Sequence, residues 1–282
     1  MSLPPLSDVI IEPIVRLALA EDLGRAGDVT SQAMVISQKP FEWVIRSRKA
    51  GIIAGVDAAI LAMRLIDPTV GFSVVSGDGC KVMAGDTIAR LKGAAQSLLT
   101  AERVMLNFIG QLSGIATLTA QFVAEIAGTK AKIACTRKTS PGMRALAKKA
   151  VRLGGGSNHR FGLDDAILIK DNHVAAAGGV AQALTRAKAY AGHLLPIEVE
   201  VDSLAQLEQA ICFNPNCIML DNFPLEDLRK AVIRVDRKVT LEASGGITLS
   251  NVRAIAQTGV DIISVGALTH SAPCLDVGLD DY

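Results

Sequence analysis

Residues 197–244 read IEVEVDSLAQLEQAICFNPNCIMLDNFPLEDLRKAVIRVDRKVTLEAS. Short apolar runs (Ile197 to Val201, Cys217 to Leu220, Val239 to Ala243) alternate here with helical stretches at Leu204 to Ile211 and Leu225 to Val235. Such alternation means parallel strands joined by crossover helices, and predominantly apolar strands mean a sheet covered on both faces. The rhythm continues outward. Upstream lie Lys132 to Cys135 and Ala166 to Ile169, with helices at Met143 to Arg152 and Val180 to Tyr190; downstream lie a helix at Leu249 to Gln257 and the run Asp261 to Val265. Six such units fit a βα barrel better than a doubly wound sheet. No Gly-rich dinucleotide fingerprint follows any of the strands, which counts against a Rossmann fold.

The part before about Gly93 differs. A helix at Val9 to Ala20, strands at Phe41 to Arg46, Phe72 to Val75 and Thr87 to Leu91, and a helix at Ala58 to Ile66 are punctuated by Gly71, Gly77, Gly79 and Gly85. They predict a smaller α+β sandwich domain over residues 1–110, followed by a catalytic βα domain over 111–270, with the tail 271–282 packing back on the first. Between the two, Val104 to Ala124 carries no formal charge and is long enough to span a bilayer. Yet it holds Asn107, Gln111, Ser113, Thr117, Thr119 and Gln121, and Leu106, Ile109, Phe122 and Ile126 recur near helical spacing, so a buried soluble helix is expected.

Composition closes other doors. The 282 residues are 50% hydrophobic, enough for a core without disulfide or metal staples. A net charge of +1, one Trp and two Tyr argue against a binder of nucleic acid or anionic membranes. The five cysteines (Cys80, Cys135, Cys212, Cys217, Cys274) are scattered with no C-x-x-C pair, and the N-terminus lacks a signal-peptide pattern. A cytoplasmic protein is expected.

In a βα barrel the active site lies at the carboxyl ends of the strands. There the sequence places Thr136-Arg137-Lys138, Gly154-Gly155-Gly156-Ser157-Asn158-His159-Arg160, Lys170-Asp171-Asn172-His173, Asp221-Asn222, Ser244-Gly245-Gly246 and Gly266. Of Glu198 and Glu200, strand alternation is taken to send only one into the barrel. Residues 136–170 hold eight Lys or Arg against Asp164 and Asp165, a net of +6 that leaves the rest of the chain at −5. Such a cluster in a neutral protein points to a small polyanion. Arg144, Lys148, Lys149 and Arg152 fall on the polar face of one helix and are expected to be solvated. Arg137, Lys138, His159, Arg160 and Lys170 gather at strand ends, where Arg suits carboxylates and phosphates through its planar fork. Small residues at Ser244, Gly245, Gly246 and Gly266 allow backbone N–H groups to approach a phosphate. Glu200 and Asp221 either bind Mg2+, bond sugar hydroxyls, or pair with neighbouring cations.

These segments resemble the quinolinate phosphoribosyltransferases. Ala101-Glu102-Arg103 with the following LNF and LSGIAT, TRKTSPGMR from Thr136, GGGSNHRFGL from Gly154, LIKDNH from Leu168, EVEVD from Glu198, MLDN from Met219, EASGGI from Glu242 and SVGALTHSAP from Ser264 follow in family order. The resemblance implies an open, incomplete βα barrel of TIM-like kind with a small N-terminal domain. It also implies transfer of the phosphoribosyl group of 5-phosphoribosyl-1-pyrophosphate to quinolinate, with Mg2+, giving nicotinate mononucleotide, CO2 and pyrophosphate. By resemblance Arg137, His159, Arg160, Lys170 and Arg103 of a dimer partner hold the carboxylates, with Thr136 beside them and Lys138 near pyrophosphate; Lys138, Lys170, Glu200 and Asp221 are the catalytic group. Ser244, Gly245, Gly246, Gly266 and His270 take the 5′-phosphate, and Glu200 and Asp221 hold the metal directly or through water.

Ser140 and Met143 stand where the family pattern has Thr and Leu. A related group from molybdenum-transport operons shares TRKT and the glycine run, but the intact NHR and KDNH segments set this sequence apart from it. Three rivals remain on the residues: a nicotinate-using phosphoribosyltransferase, an aldolase-like enzyme with a Schiff-base Lys170, and a carrier domain suggested by Gly77 to Asp86 but lacking a hairpin-tip lysine.

Overall fold

The computed structural model describes residues 3–35 and 40–281. Its strands, in chain order, are β1 (Pro40–Ser47), β2 (Gly51–Ile52), β3 (Gly71–Val74), β4 (Lys81–Val82), β5 (Thr87–Ala94), β6 (Lys132–Ala134), β7 (Ile167–Ile169), β8 (Ile197–Val201), β9 (Cys217–Asp221), β10 (Thr240–Ser244), β11 (Ile262–Ser264) and β12 (Val277–Asp281). Two compact units emerge: residues up to Ala120 with Thr139–Gly155 and the chain from Leu268, and Gln121–Lys138 with Gly156–Ala267. The segment Thr139–Gly155, which the sequence places inside the catalytic domain, thus clusters with the first unit.

The first unit carries an antiparallel sheet in the order β12-β1-β5-β3 and a β2-β4 pair. Val44, Ile45, Ile88, Ala89 and Leu91 are buried there, the four larger side chains contributing roughly 1.5–3 kcal/mol each. The C-terminal strand pairs Trp43 with Asp281 and Ser47 with Val277, and the Leu275 amide donates to the Gly110 carbonyl at 2.9 Å. The apolar stretch forms helix Ala95–Glu125, with Leu106, Ile109, Phe122 and Ile126 all buried at its end or along it. Among the described residues no helix is long and apolar enough to cross a membrane.

Helix Arg144–Leu153 overturns one expectation. Lys148 and Lys149 are 3% and 9% exposed, not solvated. The Lys149 ammonium lies 2.6 Å from Asp57 and 2.8 Å from Asp78, so two carboxylates of the same unit replace the lost water. Asp78 belongs to the stretch that suggested a carrier; it also accepts the Val56 amide at 2.9 Å, which makes it a structural anchor.

The second unit is a six-stranded parallel sheet in the order β6-β11-β10-β9-β8-β7. Strands β7 to β11 follow one another in sequence while β6, the first, pairs with β11, the last. That is barrel order, and the ladder is interrupted between β6 and β7, where one isolated bridge joins Ala134 to Ser157. Helices Val180–Tyr190, Leu204–Ile211 and Leu225–Val235 match their periodicity. Ser203 accepts the Gln206 amide at 3.4 Å to start one, and Asp236 at φ 45° ends another. The helix expected at Leu249 to Gln257 contracts to Val252–Ala256. Asn251 there takes the Thr248 amide and donates to the Gly246 carbonyl, holding a turn where a first helical turn was expected.

Candidate active site

All strands of the second unit are parallel, so their carboxyl ends share one edge of the sheet. After β6 the Thr136 hydroxyl accepts the Lys138 amide at 3.0 Å, a local turn that presents Arg137 half-buried and Lys138 exposed. The glycine run is stitched beside them: the Ser157 amide donates to the Ile133 carbonyl at 2.7 Å and the Cys135 amide to the Ser157 carbonyl at 3.1 Å. This brings His159 and Arg160 to Arg137. The Arg160 guanidinium donates to the Ala166 carbonyl at 2.9 Å, and its pKa is lowered by burial and then by the charge of Arg137. The Nε atoms of both arginines are buried without a hydrogen-bond partner. Two half-buried guanidiniums brought side by side form a place for an anion.

At the end of β7, Lys170 begins helix Asp171–Ala177, and its amide donates to His173 Nδ1 at 3.0 Å. The KDNH segment is therefore partly a helix start. Lys170 Nζ sits 3.3 Å from Glu200 and is 49% exposed, far from the desolvated lysine an aldolase needs. Glu198 meets His159 at 3.0 Å. Both glutamates of β8 thus face the site, correcting the expectation of one: residues i and i+2 of a strand share a face. Asp221 accepts from the Asn222 amide group at 2.7 Å, and the Asn222 backbone, at φ 55°, donates to the Ser244 carbonyl at 2.9 Å. Gly245 sits at φ 92°, where a Cβ would stand 2.1 Å from Asn222 Oδ1; only glycine fits this loop. Gly246 and Gly266 complete the row of small strand-end residues.

Arg103 and His270 belong to the first unit. Arg103 is 64% exposed on helix Ala95–Glu125, with Glu102 at 3.9 Å, and exposed His270 contacts the Ser271 hydroxyl at 2.6 Å. The sequence missed Glu242, buried on β10 at 3.7 Å from His159. A lone acid inside an otherwise apolar strand was its signal, since buried charge needs a reason. Burial and the Glu198 charge push the Glu242 carboxyl up to about 7, with His159 opposing. The same burial and both carboxylates push the Cys217 thiol up, which leaves it inert.

Barrel-order strands ending in paired guanidiniums, a lysine, two acids and a glycine turn define an enzyme-type site for small anions on a βα scaffold. Family comparison narrows it. The quinolinate phosphoribosyl transferase C-terminal domain matches residues 115–280, and the N-terminal domain of that family matches 28–113. The chain belongs to the quinolinate phosphoribosyltransferase family. It is 49% identical over 271 residues to a carboxylating nicotinate-nucleotide pyrophosphorylase of Mycobacterium leprae, covering 94% of this chain and 95% of that one. The nicotinate-nucleotide pyrophosphorylase structure from Francisella tularensis superposes with a TM-score of 0.94 at 43% identity, covering 99% and 98% of the two chains. Human nicotinic acid phosphoribosyltransferase, at TM-score 0.65 and 12% identity over 98% of this chain and 74% of that one, shares the fold alone.

Proposed function

We propose that this protein transfers the phosphoribosyl group of 5-phosphoribosyl-1-pyrophosphate to quinolinate with decarboxylation, yielding nicotinate mononucleotide, CO2 and pyrophosphate for NAD biosynthesis in the cytoplasm. The Arg137–Arg160 pair, half-buried and with unpartnered Nε donors, is the observation that carries this reading. Quinolinate has two carboxylates, and charge-assisted hydrogen bonds contribute roughly 1.5–3 kcal/mol each. Arg137, Arg160 and Lys170 bind them, Arg103 of a second copy completes the pocket, and His159 orders it. Thr136 shapes the loop that aims Lys138 at pyrophosphate. Ser244, Gly245, Gly246 and Gly266, with His270, receive the 5′-phosphate.

The oxygen-only donors Glu200 and Asp221, each half-buried, fit a hard cation such as Mg2+. When bound with the sugar donor, Mg2+ supplies positive charge where the pyrophosphate departs. The two carboxylates also flank the oxocarbenium-like sugar, whose positive charge they stabilise. Attack by the pyridine nitrogen then creates a cationic ring, the electron sink for loss of the adjacent carboxylate as CO2, after which the ring carbon takes up a proton from solvent. The protein contributes positioning and electrostatics and no covalent nucleophile.

The test is incubation with quinolinate, phosphoribosyl pyrophosphate and Mg2+, scoring nicotinate mononucleotide and CO2, with nicotinate run in parallel. Product from nicotinate alone overturns the assignment. Glu200→Gln combined with Asp221→Asn should abolish measurable turnover; unchanged turnover would remove both acids from the mechanism.

A further inference from the structure

Beneath the arginine pair, two carboxylates converge on one ring. His159 Nδ1 accepts the Arg160 amide N–H at 2.8 Å, which puts the imidazole proton on Nε2. Nε2 faces Glu198 Oε2 at 3.0 Å and Glu242 Oε1 at 3.7 Å. One N–H satisfies one acceptor. Glu198 Oε1 and Glu242 Oε1 are buried without a hydrogen-bond partner, and the two side chains are 12% and 5% exposed. Two full negative charges so placed would each lose water without full replacement. A proton on one of them removes that conflict.

We propose that Glu242 holds a proton and that, with Glu198, it acts as a positioning device: together they fix His159 as its Nε2–H form, and His159 Nδ1 in turn fixes the Arg160 backbone. Around Glu242 stand Glu198 from β8, His159 from the glycine-run loop, Cys217 at the start of β9 and Ser264 on β11, with Asp261 acting on Cys217 and Arg160 on Glu198. Arg160 is the only permanent cation in that set, and it also faces Arg137. The upward shift of Glu242 agrees with the proton assignment. A divalent metal would have to strip the Nε2 proton, and the Nδ1 contact favours keeping it. Both ring nitrogens of His159 are turned to protein groups, so the ring orders the anion site through its neighbours.

This inference rests on Arg160 as a carboxylate ligand of quinolinate. The experiment uses the full-length wild type, Glu242→Leu and Glu242→Gln, the last supplying an uncharged donor of the same shape. Glu242→Leu should raise KM for quinolinate about tenfold, because the His159 Nε2–H loses the polar group it faces at 3.7 Å. KM for phosphoribosyl pyrophosphate should stay within about twofold, and Glu242→Gln should recover most of the loss. Imidazole 15N shifts should show the Nε2–H form of His159 in wild type and Glu242→Gln. Equal damage in Gln and Leu, an equal rise in both KM values, or an Nδ1–H or doubly protonated His159 in the wild type overturns the proposal. The wild-type tautomer needs neither turnover nor a folded variant, so an Nδ1–H or doubly protonated ring overturns the proposal even if quinolinate proves not to be the substrate.

Discussion

Replacing Lys149 with Met should cost far more than a surface lysine would. Its ammonium, 8% exposed on the side chain, lies 2.6 Å from Asp57 Oδ2 and 2.8 Å from Asp78 Oδ2, whose side chains are 13% and 14% exposed. The backbone already leans on both acids: Asp57 accepts the Leu6 amide at 3.2 Å and Asp78 the Val56 amide at 2.9 Å. Without the lysine two carboxylates stay enclosed and unpaired. Breaking such a pair costs about 3–5 kcal/mol, whereas an exposed pair yields about 0–1. The Lys149 pKa is shifted upward in spite of burial, because the bonds to Asp57 and Asp78 outweigh the lost hydration. Its contribution is therefore complete at neutral pH and is lost only as pH rises through that raised value. Urea denaturation at pH 7, followed by a signal from the first unit, measures the loss. Adding Asp57→Asn and Asp78→Asn to Lys149→Met should return part of it, since the uncompensated charges vanish. A loss under about 1 kcal/mol, or no recovery in the triple variant, would refute the view that charge burial drives the effect.

The Glu242 carboxyl, raised from 4.5 to about 7, adds stability that is full below pH 4.5 and is lost as pH climbs through 7. Urea midpoints at pH 5 and 8 should therefore separate more for the wild type than for Glu242→Gln; parallel shifts would reject the assignment. If Arg103 serves the partner's site, inactive Arg103→Ala and Lys170→Ala proteins mixed and re-equilibrated should recover about a quarter of wild-type activity, because half the dimers are hybrids with one intact site. No recovery from a mixture shown to exchange subunits would place Arg103 outside the shared site. Gly245→Ala forces a Cβ to 2.1 Å from Asn222 Oδ1 at a φ of 92°, and should raise KM for phosphoribosyl pyrophosphate by at least about tenfold. Unchanged KM would separate that loop from the phosphate.

Where one physical period governs, sequence and structure agree. Helices Val180–Tyr190, Leu204–Ile211 and Leu225–Val235 end where their apolar spacing ends, since little competes with burial on their inner faces. The disagreements come from tertiary partners that no local window contains. Lys149 looks solvated until Asp57 and Asp78, far away in the chain, arrive beside it. The glycine run offers a second case. Its first member packs where a Cβ would meet the Ala116 carbonyl at 2.3 Å, so Gly154 serves helix packing while His159 and Arg160 serve the site. Glu198 and Glu200 were expected to send only one side chain into the site, although the strand period itself puts both on one face. Glu242 showed in the sequence only as a lone acid in its strand, because its role depends on an imidazole brought from the loop before β7.

The +6 charge of residues 136–170 also divides along structural lines. Thr139–Gly155 goes to the first unit with Arg144, Lys148, Lys149 and Arg152, a share of +4, while Arg137, Lys138, Arg160 and Lys170 less Asp164 and Asp165 leave +2 in the second. Against those four strand-end cations stand Glu198, Glu200 and Asp221, with Glu242 neutral by the proton assignment. The site is thus close to electroneutral before any substrate arrives. On the proposed function an anion binds there by geometry: Lys170 and Glu200 neutralise one another at 3.3 Å, whereas the Arg137 and Arg160 Nε donors have no protein acceptor. Selectivity for a planar dicarboxylate would then come from where unpaired donors point. It follows that Arg137→Lys, which keeps the charge and loses the fork, should raise KM for quinolinate nearly as much as Arg137→Ala, about 10- to 100-fold. Full activity in Arg137→Lys would mean that charge alone suffices.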